Sequence, residues 1–96
     1  MIKVSVKKDR IIISGHSDYS VSGSDIVCAS VSSIVITSIN AILRVDNSAI
    51  KYEKNDGFID IEILNHSNIV DLLIDNMISL LEELANQYDE NIKIDK

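Results

Sequence analysis

The chain has 96 residues, a formal net charge of −6 at pH 7 and 46% apolar residues. This length predicts one domain over residues 1–96 with one modest core, and this apolar content argues against disorder. We do not expect nucleic-acid binding, because phosphate groups require a basic surface and base stacking requires aromatic side chains, which form only 4% of the chain. The single cysteine, Cys28, cannot form an internal disulfide, so we expect a cytoplasmic location.

Two strands are predicted at the start of the chain. Apolar and polar residues alternate over residues 2–6, which is typical of a half-buried strand. Lys8 and Asp9 predict a tight turn into a second strand over residues 10–15. Nothing in this start resembles a secretion signal. The residues from Ser17 to Gly23 are mostly small and polar and predict a loop.

A long helix is predicted from about Ser24 to about Val45. Its most apolar part, residues 26–43, is long enough to suggest a membrane span. That part contains five Ser or Thr residues and one Asn, however, and charged residues flank it. We therefore expect a core helix of a soluble protein and no contact with a membrane.

The second half of the chain predicts a hairpin, a helix and a short last strand. The hairpin has strands over residues 49–54 and 58–64 with a tight turn between them. Asn65, Ser67 or Asn68 can cap the helix, and residues 91–96 alternate weakly as a strand does. The helix face expected to meet the core consists of Ile69, Leu72, Leu73, Met77, Leu80, Leu81 and Leu84.

This order of elements predicts an α+β fold. Two strands and a helix are followed by two strands, a second helix and a possible final strand, ββαββα(β). Grouped hairpins and helices of this kind indicate a small, mostly antiparallel sheet with two helices on one face. Small sheets with a free face or edge often dimerise, so a homodimer is a reasonable expectation.

Cys28 and His16 have the positions that Cys–His acyl-transfer chemistry requires. Cys28 lies in the first turns of the predicted helix, where unpaired N–H groups favour a thiolate and can stabilise an oxyanion. Asp25 and Ser32 are predicted on the same face of this helix. His16, at the end of the second strand, could accept the thiol proton and later protonate a leaving amine.

Simpler interpretations of these residues also fit the spacing. Single cysteines are most often buried and chemically inert, and a lone histidine is most often structural or exposed. His16, Cys28 and His66 show none of the close spacings of metal sites, so no metal or cofactor is expected. From spacing alone, the choice between a catalytic and an inert Cys28 stays open.

Residues 15-GHS-17, Gly23 and 25-DIVCASVS-32 closely resemble the Prp family of bacterial ribosomal-processing cysteine proteases. Members of that family have Gly-His followed by Ala or Ser, a mobile loop that ends in Gly-x-Asp, and a Val-Cys-Ala motif. Ser17 stands where the family most often has Ala. The resemblance implies a cytoplasmic, homodimeric endopeptidase that removes the N-terminal extension of a large-subunit ribosomal protein during ribosome assembly.

The resemblance also implies roles for individual residues. Cys28 becomes the nucleophile, and His16 becomes the general base and acid. Gly15, Asp25 and Ser32 match supporting positions. Gly15 could let backbone pass close to substrate, Asp25 could orient His16 or cap its own helix, and Ser32 could bond near the thiol or back to the helix.

The loop from Ser17 to Gly23 is predicted to order over the substrate. Tyr19 could pack on substrate aromatic residues or could simply be exposed. Two alternatives to a protease stay open at this point: a non-catalytic module of the same fold that binds a peptide or a ribosome-assembly partner, and a thiol redox sensor that uses Cys28 alone.

Overall fold

The computed structural model describes residues 1–15 and 24–96, without the side chains of Ser24 and Asp25. It confirms the α+β class and the expected order of elements, including the final strand. In chain order the elements are β1 (Ile2–Val6), β2 (Arg10–Ser14), α1 (Ser24–Val45), β3 (Ile50–Asn55), β4 (Phe58–Ile63), α2 (Asn68–Gln87) and β5 (Ile92–Asp95).

The five strands form one mixed sheet in the order β3-β4-β2-β1-β5. The pairings β3–β4, β4–β2 and β2–β1 are antiparallel, and only β1–β5 is parallel. The parallel pair arises because α2 acts as a crossover that returns the chain to the end of the sheet from which β4 started. The expectation of a mostly antiparallel sheet is therefore confirmed, with β5 as its one parallel addition.

The core lies between one face of the sheet and the two helices. The register places Val4 opposite Ile13 and Ile13 opposite Ile59, so alternate residues of neighbouring strands share this face. From α1 the core receives apolar side chains at intervals of three or four residues, which is the helical repeat. These are Val27, Val31, Val35, Ile39 and Ile42.

The face that α2 turns to the core agrees with the expected one only in part, since Met77 and Leu81 are buried and Leu73 and Leu84 pack against the core. Its buried residues are Val70, Ile74, Met77 and Leu81. The expectation of a buried Ile69, Leu72 and Leu80 was wrong, because these side chains are 49%, 65% and 38% exposed. Two overlapping apolar stripes run along this helix, and periodicity cannot decide which of them meets the sheet.

Ser67 is the N-cap of α2, since its side-chain oxygen accepts a hydrogen bond from the Val70 N–H at 3.2 Å. It was one of the three residues expected to cap this helix.

In α1, residues Ile26–Val45 are long and apolar enough to cross a membrane by length and composition alone. Core helices pass the same test, and α1 contributes five buried side chains to the core.

His66 forms a bridge between the β1–β2 turn and the start of α2. Its Nδ1 lies 2.7 Å from Oδ1 of Asp71, and its Nε2 lies 2.7 Å from Oδ1 of Asp9. Only the protonated imidazole donates from both nitrogens at once. Hydrogen bonds to Asp71 and then to Asp9 accordingly raise the pKa of His66 above its usual value.

The raised pKa of His66 makes its contribution to stability depend on pH. The stabilisation is complete below the unfolded-state pKa of 6.5 and is lost as pH rises through the higher pKa of the folded state. We therefore expect His66→Gln to lower the urea midpoint at about pH 5.5 and to change it little at about pH 9. The effect should be modest, because solvent screens this exposed group. Asp75→Asn is the control variant. If His66→Gln lowered the urea midpoint equally at both pH values, the charged bridge would be contradicted.

Candidate active site

A cavity of about 460 Å³ opens where the end of β2, the first turns of α1 and the β3–β4 hairpin meet. Its floor is apolar, and its hairpin side is polar and charged. The residues that line it are Ile2, Ile13, Gly15, Cys28, Val31, Ser32, Lys54, Asn55, Asp56, Gly57, Phe58 and Ile59.

Cys28 lies at the border between the core and this cavity. It is the fifth residue of α1 and the neighbour of Val27, which is fully buried. Its side chain is partly buried, packs against the core cluster and contributes to the cavity wall. Because helical side chains lean toward the N-terminus, the thiol at this position leans toward the end of α1 where the first N–H groups have no partner within the helix.

Ser32 and Gly15 line the same cavity as Cys28. Ser32 follows Cys28 by four residues in α1, and residues at this spacing share a helix face. The structure therefore brings three of the expected site residues together. The backbone of Asp25 belongs to α1, but its side chain lies outside the described part of the chain, so its supporting role stays a prediction.

Gly15 has a structural requirement that the sequence interpretation did not foresee. Its φ of +102° is a conformation that residues with a side chain rarely adopt, and a Cβ at this position would overlap the carbonyl oxygen of Met1. Its N–H donates to the carbonyl oxygen of Gly57 at 3.0 Å. The backbone that lies close to Gly15 is therefore that of Met1 in the same chain, and not that of a substrate.

His16, Ser17, Tyr19 and Gly23 lie outside the described residues, and their roles stay predictions. Gly15, the residue before His16 in the sequence, lines the cavity.

Sequence reasoning missed the contribution of the β3–β4 hairpin to this site. The turn itself was expected, but its neighbourhood depends on the pairing of β4 with β2, which places Phe58 opposite Ser14. This register brings Lys54, Asn55 and Asp56 to the cavity. No local sequence pattern predicts that the hairpin lies beside this cavity, because residues of the hairpin and of the Gly-His motif are about 40 positions apart.

Within residues 1–15 and 24–96, no group of three or more His, Cys, Asp or Glu side chains could hold a metal ion. The polar side chains of the described cavity offer one thiol, one hydroxyl, one amide, one ammonium and one carboxylate, from Cys28, Ser32, Asn55, Lys54 and Asp56. Of these, the thiol is the strongest nucleophile near neutral pH.

Comparison with known proteins gives one consistent result. Residues 1–93 match the family model described as cysteine protease Prp. The ribosomal processing cysteine protease Prp of Staphylococcus aureus strain NCTC 8325 is 32% identical over 87 residues, which cover 88% of this chain and 82% of that protein. The same protein from strain Mu50 gives the same values.

Solved structures agree with this match. The essential ribosomal processing protease Prp from S. aureus in complex with a substrate peptide superposes with a TM-score of 0.85 at 25% identity, over 98% of this chain and 95% of that one. Its complex with a covalently linked product peptide gives 0.83 at 26% identity over the same shares. SMU.848 from Streptococcus mutans, at 21% identity and a TM-score of 0.76 over 98% of this chain and 90% of that one, shares the fold.

Proposed function

The chain belongs to the cysteine protease Prp family, and from that premise we propose that it is an endopeptidase that removes the N-terminal extension of a large-subunit ribosomal protein. Membership of this family makes the chain a cysteine peptidase. The observation that carries the finer proposal is the position of Cys28. The only thiol of the chain lies in the second turn of α1 and lines the cavity beside Gly15, the residue before His16.

The first half of the reaction forms a thioester. The Sγ of Cys28 attacks the carbonyl carbon of the scissile peptide bond, and His16 accepts the thiol proton. Negative charge then develops on the carbonyl oxygen. Unpaired N–H groups of the first turn of α1 stabilise this charge, since they lie at the positive end of the helix dipole. The C–N bond breaks, and His16 donates its proton to the leaving amine.

The second half hydrolyses the thioester. A water molecule attacks the thioester carbonyl carbon while His16 accepts one of its protons. The C–S bond breaks, the peptide leaves with a new carboxyl group, and the proton on His16 returns to the sulfur of Cys28. The cycle consumes one water molecule per peptide bond and needs no cofactor.

The substrate assignment rests on the relatives. The S. aureus protease was crystallised with a substrate peptide and also with a covalently linked product peptide, and it is described as a ribosomal processing protease. A covalent link to a peptide agrees with a nucleophilic mechanism. Both bound species are peptides, which supports a peptide substrate for this chain. Ribosome assembly occurs in the cytoplasm, so we place the protein there.

A cleavage assay tests this proposal directly. The purified protein is mixed with the N-terminal peptide of the host's large-subunit ribosomal protein, and the products are weighed by mass spectrometry. We expect one cut, and no cut in a peptide of the same composition with a scrambled junction. A non-catalytic module would bind the peptide and leave it whole. A redox sensor would cleave nothing and would instead form mixed disulfides at Cys28.

The role of His16 has its own test. If His16 removes the thiol proton, iodoacetamide should alkylate Cys28 more slowly at about pH 7 in His16→Asn than in the unchanged protein. Alkylation of His66→Asn gives the matched histidine control. Equal alkylation rates in all three proteins would remove His16 from the mechanism.

We also propose a homodimer, for which exposed apolar side chains near the start of α2 provide the surface. Leu64, Ile69 and Leu72 are 55%, 49% and 65% exposed. A group of exposed apolar side chains on a soluble protein often marks an interface. We expect Leu72→Glu to change the mass in sedimentation equilibrium from dimer to monomer, whereas Leu80→Asn, farther along α2, should remain dimeric. A monomeric mass for the unchanged protein would contradict the proposal.

A further inference from the structure

A second depression lies between the helices, on the other side of α1 from Cys28. It is an open groove of about 870 Å³ between the first turns of α1 and the last turns of α2. Ile26 and Leu80, which are 60% and 38% exposed, are among its apolar residues. This interhelical groove is lined from α1 by Ile26, Ala29 and Ser33 and from α2 by Leu80, Glu83 and Gln87, among others.

The net negative charge of the chain lies in the segment that contains α2, and the last turns of α2 form one wall of this groove. Residues 64–91 contain six acidic and no basic residues, which equals the net charge of the whole chain, since the other nine acidic and nine basic residues cancel. The six are Asp71, Asp75, Glu82, Glu83, Asp89 and Glu90. No described residue that lines the groove is basic, and Glu83 is its one charged group.

The acidic residues at the end of α2 oppose the usual charge preference of a helix. The C-terminal end of a helix carries partial negative charge and favours Lys or Arg, yet the last turn of α2 has no basic residue. The negative charge of Glu82 is balanced by Lys96, since Nζ of Lys96 lies 3.0 Å from Oε1 of Glu82. Glu83, Asp89 and Glu90 are exposed. Acidic residues at the C-terminal end of a helix are locally unfavourable, and departures of this kind are expected at functional surfaces.

We propose that the interhelical groove is a second docking site for the substrate, which binds a segment with alternating apolar and basic residues beyond the scissile bond. The apolar side chains of the segment would cover Ile26 and Leu80. Its Lys or Arg residues would face Glu83 and the carboxylates that follow α2. This inference rests on the proposed function, because the basic segment would belong to the body of the ribosomal protein.

The geometry sets how far from the cut this segment begins. Cys28 and the groove lie on opposite sides of α1, and a helix with its side chains is about 10 Å across. An extended chain covers about 3.3 Å per residue, so a peptide that leaves the cavity around the start of α1 needs roughly three to five residues to reach the groove. Residues nearer the cut cannot use the groove.

Charge also argues against a second copy of the chain as the occupant. In a two-fold dimer the same patch meets itself, so a contact centred on this groove would bring Glu83 and its acidic neighbours toward their own copies. Like charges across an interface disfavour it. A cationic segment would instead be attracted to the same acidic residues.

A substrate-length series tests the inference by steady-state kinetics. We expect KM to stay level as basic and apolar residues are added next to the cut, and to fall about five- to tenfold once roughly five have been added. Glu83→Lys and Leu80→Asn should remove this gain and leave the short junction peptide unaffected. Asp75→Lys makes the same charge change two turns earlier on α2 and should preserve most of the gain.

Three results would overturn the inference. An equal loss with the short peptide would mean that Glu83 and Leu80 act on the fold or on the reaction centre. An equal loss in Asp75→Lys would mean that net charge alone attracts the substrate. A change to monomeric mass in Leu80→Asn would assign the groove to a second copy of the chain.

Binding to Cys28→Ala separates this inference from the proposed function. Fluorescence anisotropy of a labelled long peptide measures docking without cleavage. If the protein with Cys28 intact cuts neither peptide, while Glu83→Lys still weakens the binding measured in Cys28→Ala, the groove is supported and the protease is refuted. Cleavage of both peptides with equal KM, and anisotropy that Glu83→Lys does not change, would refute the groove and keep the protease.

Discussion

Replacing Cys28 by alanine is expected to lower the rate of substrate cleavage by at least about a thousandfold, because no other described group of the cavity can form the thioester. The fold should survive. The side chain is only partly buried, and the substitution removes a single sulfur atom, which costs about 1 kcal/mol of unfolding free energy or less. Rates from mass spectrometry and midpoints from urea unfolding give the two readouts.

Two further variants make the Cys28→Ala result specific. Thr37→Ala changes an exposed residue of the same helix and should keep full activity. Ser32→Ala removes a hydroxyl from the cavity and should reduce the rate by a smaller factor, of about tenfold if the hydroxyl contacts the reacting groups. Residual cleavage in Cys28→Ala close to that of the unchanged protein would show that the thiol is not the nucleophile.

The strands and helix limits were predictable because each depends on neighbours in sequence. Alternation over Ile2–Val6 and Phe58–Ile63 fits a sheet with one buried face, and the buried residues of β4 are indeed every second one. The shared side of α1 that holds Cys28 and Ser32 follows from their spacing of four residues. Such relations need no knowledge of the rest of the fold.

Relations between distant segments could not be predicted in this way. The pairing of β4 with β2 delivers the β3–β4 hairpin to the cavity, and nothing near Lys54 or Asp56 signals it. Three residues of α2, Ile69, Leu72 and Leu80, were wrongly assigned to the core because packing chose between two overlapping apolar stripes. His66 was considered only as a possible metal ligand, whereas its carboxylate partners Asp9 and Asp71 lie on two other segments.

Gly15 shows most clearly how a site residue can be required for a reason other than chemistry. The sequence pattern suggested room for the substrate, whereas the structure presses the position against the carbonyl of Met1 and ties its N–H to Gly57. This backbone immediately precedes His16. Any side chain at residue 15 must therefore move either the start of β1 or the end of β2, and the second movement displaces the attachment point of His16.

We accordingly expect Gly15→Ala to lose about 2–4 kcal/mol of unfolding free energy, from backbone strain at φ +102° together with the overlap on the Met1 carbonyl. For a domain of this size the loss corresponds to a fall in Tm of at least about 10 °C. Gly57→Ala is the matched control. Its φ of +71° lies in the left-handed region, where a side chain costs about 1–2 kcal/mol. Gly15→Ala should also cleave more slowly than Gly57→Ala at temperatures where both are folded, because the first change acts directly on the backbone that leads into His16, whereas Gly57 reaches that backbone only through one hydrogen bond. Equal Tm values and equal rates for the two variants would mean that the chain relaxes around residue 15 and that Gly15 is dispensable for holding the site.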